Sequence, residues 1–318
     1  MHAPGLILAS TLLGGAVVIG VSRATGGAYP LLRSRLDRIA PEDRAQVHAA
    51  LALLPWIAAI TILLLAFVPS FVTIPGWIED HCGPHDHHPH LCLNHGFWMP
   101  SGPLWVGVGL LILVGLAVWG RLVLRVIRSH RVVLGLMHVS RTQGAVQVIP
   151  DARPLAFSAG LLHPTTVLSE AVLDRLDPQE LEVVLDHEAA HAQRRDALWR
   201  VIMEAMLLGM GAKSRALLLE DFNLATEEAC DRRAIHEGVG ADRVAEVLIR
   251  MQRLGCHAVE GAPAATGSHL ERRVKALLGD PYPQRPRWMK AVWLAPLVLL
   301  GADPVHHAAE TLLGLFLS

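Results

Sequence analysis

Four long apolar runs divide the chain, at residues 6–22, 49–74, 104–119 and 288–302. A helix needs about 20 predominantly apolar residues to cross a bilayer, and the runs approach or exceed that length. The earliest run also resembles a cleaved signal peptide, but no basic residue precedes it and no small-residue cleavage site with a polar start follows it. The pattern predicts an α-helical integral membrane protein with about four transmembrane helices.

The basic residues between these runs predict how the helices are oriented. Arginines follow the first run at residues 23–44 and the third run at residues 121–131, whereas the loop at 75–102 contains no Lys or Arg. Because short loops rich in Lys and Arg stay in the cytoplasm, we expect the N-terminus and the 75–102 loop outside. The predicted location is a bacterial-type inner (plasma) membrane, crossed several times, with the more polar domain after residue 131 in the cytoplasm.

The more polar stretch between the third and fourth runs carries signals for both strands and helices. Short runs of β-branched or alternating residues, separated by Pro and Gly, predict three strands. Helical patterns follow, and the very apolar segment among them is either a buried helix or one at the membrane surface. The predicted strands are 146–150, 154–158 and 165–169, the helices are 177–196, 214–236, 242–254 and 270–278, and the apolar segment is 197–212.

The chain therefore divides into a membrane portion with three spans (1–131), a mainly helical α+β cytoplasmic domain with a small sheet (132–287), and a fourth span with an amphipathic tail (288–318). Hydrophobic residues make up 52% of the chain and charged residues 18%, which suits a membrane portion joined to a soluble one. The lipid bilayer is thus an expected partner. The formal net charge of -1 gives no electrostatic support for nucleic-acid binding, and none is expected.

The most informative motif is His187-Glu188-Ala189-Ala190-His191, an H-E-x-x-H pattern. Two histidines four residues apart lie on one face of a helix, so both imidazoles can reach one metal ion. The glutamate beside the first histidine is then placed to take a proton from a water at that metal. The alternative is a surface helix with two solvated histidines.

The residues before the motif indicate that it lies on a helix. Asp177 is a good N-cap, Pro178 suits the first helical position, and Glu180 completes a capping box. A core-facing stripe follows at helical spacing, formed by Leu181, Val184 and Leu185.

A catalytic zinc needs a third protein ligand. The predicted helix at 214–236 offers five carboxylates, and their order along the chain does not decide between them. They are Glu220, Asp221, Glu227, Glu228 and Asp231.

The segments HEAAHAQRRD (187–196) and EEACD (227–231) resemble the membrane zinc metallopeptidases of the beta-lactam-sensor receptor type. They are similar, more distantly, to the CAAX-prenyl and heat-shock membrane proteases. The resemblance, which covers residues 145–275, implies one catalytic Zn²⁺ held by His187, His191 and Glu227. It also implies that Asp231, and Asp196 after the motif, contact the metal ligands and orient them without binding the metal themselves.

The same resemblance implies that an edge strand at 154–158 binds the substrate backbone by strand addition. The sequence ERRV (271–274) looks like a family element in which Arg273 has an oxyanion or structural role, whereas His269 is out of spacing for the family's histidine. The chain departs from the receptor family's pattern in two ways, one of which bears on the signal and the other on the substrate. We expect no penicillin-binding sensor domain after the fourth run, and the family's tryptophan-asparagine-proline element is poorly represented before Glu227.

The 75–102 loop concentrates histidines and two cysteines. Imidazole-rich tracts bind zinc, copper or nickel, so the loop is a candidate for a second metal ion whose signal the adjacent spans would carry to the protease. The alternative is a polar turn stapled by a disulfide between its two cysteines. The residues are His81, Cys82, His85, His87, His88, His90, Cys92 and His95.

These patterns predict a membrane-embedded zinc metalloendopeptidase with Glu188 as general base, acting on a polypeptide at the cytoplasmic side. By resemblance, a transcriptional repressor is one candidate substrate, cleaved in response to a signal. Two alternatives remain: a housekeeping quality-control protease of membrane proteins, and a non-catalytic metal-sensing receptor. We further expect Glu228 on a solvated helix face, and Cys230 and Cys256 as small buried residues.

Overall fold

The computed structural model describes residues 3–73, 102–255 and 267–279, together with residues 308, 309 and 311. These parts of the chain form a mainly helical protein with one small mixed sheet. The helices are α1 (Ala3–Leu36), α2 (Pro41–Thr73), α3 (Gly102–Val139), α4 (Glu170–Arg175), α5 (Pro178–Arg194), α6 (Asp196–Met206), α7 (Ala212–Arg233), α8 (Ala241–Arg253) and α9 (Gly267–Leu278). The strands are β1 (Arg141–Gln143), β2 (Val146–Ile149), β3 (Ala156–Ala159) and β4 (Thr165–Ser169).

Two helices in the described part of the chain are long and apolar enough to cross a bilayer, over Pro41–Phe67 in α2 and Gly109–Val139 in α3. They overlap the second and third apolar runs. The first run lies within α1, which is not one of the two, and the fourth run at 288–302 lies outside the described residues. Four spans and a cytoplasmic catalytic domain therefore stay predictions.

The helices α1 and α2 pack against α7 and the end of α6 through one apolar cluster. Tyr29 of α1 and Ala52 of α2 are fully enclosed there with Met203, Leu207 and Leu218. The predicted apolar segment at 197–212 thus contributes buried side chains to this cluster, and it ends in a 3₁₀ turn at Leu207–Gly209.

Close approach at this contact requires glycine. A Cβ atom on Gly26 of α1 would lie 2.8 Å from Cγ of Met210, and one on Gly209 would lie 2.8 Å from Oγ of Ser22. The hydroxyl of Ser214, near the start of α7, donates a hydrogen bond of 2.8 Å to the carbonyl of Gly26. The apolar helix α1 is therefore joined directly to the helix that carries the candidate third ligand.

The sheet has the order β1-β2-β4-β3, with β2 and β4 parallel and the two outer pairs antiparallel. The three predicted strands are present, whereas β1 was not predicted because its three residues are exposed and carry no apolar alternation. The strand β3 is paired only with β4 among the described residues, so its other edge has no strand neighbour. This strand covers most of the predicted edge strand at 154–158.

The predicted start of the motif helix is confirmed. The Asp177 carboxylate accepts a 2.8 Å hydrogen bond from the Glu180 amide, and the Glu180 carboxylate accepts one of 3.0 Å from the Asp177 amide. Val183 and Val184 are buried in the core beside the sheet. Glu180 also accepts a 2.6 Å bond from Arg250 of α8, so one capping residue joins the motif helix to α8.

Candidate metal centre

The two motif histidines project from one face of α5 and point at each other. Their Nε2 atoms lie 3.2 Å apart, and both side chains are largely buried. This arrangement follows from their spacing of four residues, which separates them by one helical turn. It does not match the alternative of two solvated histidines on a surface helix.

The helix α7 brings Glu227 to the same point. Its Oε2 atom lies 3.6 Å from Nε2 of His187, and its Oε1 atom lies 3.6 Å from Nε2 of His191. Ligand atoms of a tetrahedral zinc ion, each about 2.0–2.1 Å from the metal, are about 3.3–3.4 Å apart. The two imidazoles and the carboxylate therefore fit a zinc ion by chemistry and by spacing, with shifts of a few tenths of an ångström.

The other carboxylates that the sequence left open are engaged elsewhere. Glu220 lies 3.1 Å from His269, and Asp221 accepts bonds from Tyr29 and Arg33. Glu228 forms a buried ion pair with Arg44. Of the candidate ligands on α7, only Glu227 has its carboxylate within 4 Å of the Nε2 atoms of both motif histidines.

Carboxylates also lie on the outer side of both imidazoles. Nδ1 of His191 is 2.8 Å from Asp196, and Nδ1 of His187 is 3.0 Å from the fully buried Asp231. A carboxylate at Nδ1 favours the tautomer with the proton there and leaves the Nε2 lone pair for a metal. At His191 the contact has hydrogen-bond geometry, in which such a carboxylate orients a ligand histidine, whereas at His187 it is a close approach of the two groups.

Asp196 reaches His191 because the chain turns sharply after the motif helix. Arg195 adopts a left-handed conformation with φ 55° and separates α5 from α6. The sequence predicted one helix through residue 196, whereas the observed helix ends at Arg194. The turn places the first residue of α6 beside the last turn of α5.

The charges at the site favour a bound cation. Burial opposes a charged His187, yet Asp231 and Glu227 raise the pKa of its imidazole to about 10. The pKa of His191 is raised in the same way, with burial outweighed by Glu227 and Asp196. A metal ion would supply the positive charge that these carboxylates attract.

Arg273 of α9 holds the carboxylates in place. Its guanidinium donates hydrogen bonds of 2.7 and 2.6 Å to Asp231, and Nη1 lies 3.0 Å from Glu227. Desolvation acts to raise the pKa of Glu227, but Arg273 and the two histidines hold it below its usual range. These contacts suit the structural role that the sequence offered for Arg273.

The expectation for Glu228 was wrong. Its side chain is 3% exposed, and its partner Arg44 at the start of α2 is 4% exposed. Burial raises the pKa of Glu228, and Arg44 acts against that shift. Sequence reasoning missed this pair because the two residues are 184 positions apart.

The predictions for Cys230 and Cys256 have different outcomes. Cys230 is buried as expected, and its thiol donates to Asp196 at 3.6 Å. Burial raises the pKa of this thiol, which keeps it protonated and a poor nucleophile. Cys256 lies outside the described residues, as do the eight His and Cys residues of the 75–102 loop, so a second metal ion or a disulfide there stays a prediction.

A cleft of about 290 Å³ opens onto the three candidate ligands. Glu188 lines it beside His187, and Phe157 and Ser158 of the edge strand β3 form one wall. Apolar side chains of α8 form another wall, among them Val244, Leu248 and Met251. The cleft thus combines a cation site, a carboxylate, a strand edge and an apolar surface.

This combination is that of a metallopeptidase. Comparison with known proteins agrees, because residues 125–258 match the family model of Peptidase family M48, which supports a zinc metallopeptidase. No curated protein and no solved structure matches the chain. The match spans α5, α7 and α8 and therefore contains the motif histidines and Glu227.

Proposed function

We propose that the protein is a membrane-embedded, zinc-dependent endopeptidase that cleaves peptide bonds at the cytoplasmic side. The observation that carries the proposal is the convergence of His187, His191 and Glu227, with their ligand atoms 3.2–3.6 Å apart beside an open cleft. A zinc ion held there supplies a Lewis acid for the scissile carbonyl and lowers the pKa of a water molecule.

Glu188 is the general base of the proposed reaction. It follows His187 directly and lines the cleft, so its carboxylate would face a water molecule that enters the cleft beside the three candidate ligands. Its carboxylate takes the proton of the attacking water and then delivers it to the leaving amine. Asp231 and Asp196 keep the two imidazoles in place, and Arg273 keeps Asp231 and Glu227 in place.

The substrate is an extended segment of a polypeptide. The free edge of β3 offers backbone N–H and C=O groups to such a segment, and the strand lines the cleft that holds Glu188. The apolar wall formed by α8 suits an apolar side chain next to the scissile bond.

The membrane placement is supported by α2 and α3. The most apolar stretch of α3 has no buried residue, and an apolar helix so exposed is stable in lipid but not in water. The arginines after residue 120 support a cytoplasmic location for that end of α3 and for the catalytic domain after it, at a bacterial-type inner membrane.

The decisive experiment compares the wild type with Glu188→Gln after purification in detergent. Casein cleavage, self-cleavage and zinc content are measured for both, with Glu182→Gln as a control that removes an exposed carboxylate from the same helix. We expect equal zinc content in all three proteins and cleavage by the wild type and Glu182→Gln only. Equal cleavage by Glu188→Gln would refute the role of Glu188. Zinc binding without cleavage by any of them would favour the non-catalytic metal-sensing receptor.

Two kinds of substrate then need to be separated. In the regulatory form of the proposal, a signal activates cleavage of a transcriptional repressor; in the housekeeping form, the substrates are damaged membrane proteins. Co-expression with a winged-helix repressor encoded nearby, in wild-type and Glu188→Gln backgrounds, distinguishes them. Specific, Glu188-dependent loss of that repressor favours regulation, whereas accumulation of misfolded membrane proteins in the Glu188→Gln background favours housekeeping.

A further inference from the structure

A second cavity lies between α3, α6 and α7, apart from the candidate metal centre. Its volume is about 340 Å³, and it contains none of the proposed ligands. Its charged lining consists of Arg121 and Arg125 of α3, Arg215 of α7 and one carboxylate, Glu204 of α6. Three arginines against one glutamate leave the cavity with a formal charge of +2.

Of the four charged residues that line the cavity, one arginine and the glutamate pair with each other, and the other two arginines do not take part in that pair. Arg125 forms an ion pair with Glu204, and Arg200 lies 3.6 Å from the same carboxylate. Neither Arg121 nor Arg215 pairs with a carboxylate within the described ranges of the chain. Their guanidinium groups are therefore available to an anion, and the planar fork of arginine suits phosphate oxygens.

The remaining lining of the cavity is apolar. Val118 and Leu122 lie on the same face of α3 as Arg121, and Leu208 and Leu219 close the opposite side. This apolar surface does not stabilise a free inorganic anion, because such an anion gains nothing from apolar contacts. An amphipathic anion contacts both the arginines and the apolar side chains of the lining.

The position of the cavity along α3 agrees with the edge of a bilayer. Leu113, Leu116 and Trp119 are each more than 60% exposed, and Arg121 lies two residues after Trp119. Tryptophan prefers the headgroup level of a membrane, and arginines follow on the cytoplasmic side. A phospholipid beside α3 would thus lay its acyl chains along the apolar stretch and bring its phosphate to the level of Arg121.

We propose that this cavity binds the headgroup phosphate of an anionic phospholipid, with Arg121 and Arg215 as the phosphate ligands. Anionic lipids bind more tightly than zwitterionic ones, because the positively charged cavity attracts the net negative headgroup and repels the cationic choline of a zwitterionic one. The lipid joins α3 to α6 and α7, and the Arg125–Glu204 ion pair also links α3 to α6. The proposal goes beyond peptidase activity and shares with it only the membrane placement.

The test uses the full-length Glu188→Gln protein, which excludes self-cleavage, in non-ionic detergent micelles. Phosphatidylglycerol and phosphatidylcholine are titrated separately, and bound lipid is counted by native mass spectrometry alongside thermal stability. The test variant is Arg121→Gln with Arg215→Gln. The matched control is Arg128→Gln with Arg131→Gln, which removes the same charge from exposed positions of α3 that do not line the cavity.

We expect about tenfold tighter binding of phosphatidylglycerol than of phosphatidylcholine, and a loss of about tenfold or more in the cavity variant, because it removes both arginine donors to the phosphate. The control should change affinity by less than about twofold. A single Arg215→Lys exchange, which keeps the charge but not the fork, should give an intermediate loss. Equal affinity for both lipids, an equal loss in the control, or equal protection by inorganic phosphate alone would overturn the proposal.

Discussion

The buried ion pair between Arg44 and Glu228 gives the sharpest test of how α2 supports the candidate metal centre on α7. Replacing Arg44 by Met keeps an unbranched side chain of similar length but removes the charge. The Glu228 carboxylate, 3% exposed, is then left buried without its partner. Breaking a buried pair from one side costs about 3–5 kcal/mol, because the remaining charge has lost both water and its counter-ion.

The loss should be visible in the thermal unfolding of the protein in detergent. At about 2–4 °C per kcal/mol for a domain of 150–250 residues, we expect the Tm of Arg44→Met to fall by about 10 °C. Zinc content should fall with it, because Glu228 is the neighbour of Glu227 on α7. The double variant with Glu228→Met removes both charges and should recover most of the stability, since buried pairs replaced by apolar residues are often neutral.

The control for this experiment is Lys275→Met. Lys275 pairs with Glu271 at 2.6 Å, but both side chains are more than 60% exposed. An exposed pair of this kind contributes little because water screens both charges, so the Tm should move by about 2 °C or less. If the Tm of Arg44→Met equals that of this control, or if the double variant has no higher Tm than the single one, the buried pair does not stabilise α7.

Three further predictions concern other parts of the protein. Asp196→Asn should weaken zinc binding about 10–100-fold in a chelator competition, because the carboxylate orients His191; an unchanged affinity would contradict that role. Asp177→Ala should lower the free energy of unfolding by about 1 kcal/mol, measured as a Tm shift of a few degrees, whereas Asp177→Asn should be nearly neutral. Burial and the hydrogen bond to Asp221 raise the pKa of Tyr29, so its neutral form is favoured in the folded protein. Stability from this residue is present below about pH 10, the ordinary tyrosine value, and is lost as the pH rises towards the folded-state pKa. Ultraviolet titration should therefore show no tyrosinate signal from Tyr29 before unfolding, and a signal near pH 10 that disappears in Tyr29→Phe would refute this.

Features encoded within a few residues of each other could be predicted from the sequence. The capping box of Asp177 and Glu180 starts α5 as expected, because both of its hydrogen bonds lie within one helical turn. The two histidines then fall on one face by helical periodicity alone. The apolar runs of α2 and α3, and three of the four strands, follow from equally local patterns.

Features that depend on distant partners could not be predicted in the same way. Glu227 and Glu228 are consecutive on α7, where neighbouring side chains point about 100° apart, so one faces the histidines and the other faces Arg44. Their order along the chain does not say which is which; only the resemblance to known peptidases favoured Glu227. The break at Arg195 was missed for a related reason, because its left-handed backbone interrupts a pattern that otherwise continues into α6.

The sequence by itself determined the candidate chemistry: a helix that presents two imidazoles, with a glutamate beside the first, in a chain that also carries segments apolar enough for a membrane. The tertiary structure decided which carboxylate completes the site and which side chains hold it. Arg33 and Arg44 meet Asp221 and Glu228 across more than 180 residues, and Arg273 meets Asp231 across 42. Such pairs depend on how α1, α2 and α9 pack on α7. Packing is governed by shape and burial over the whole chain, whereas helix caps and helical faces are governed by neighbours only a few residues away.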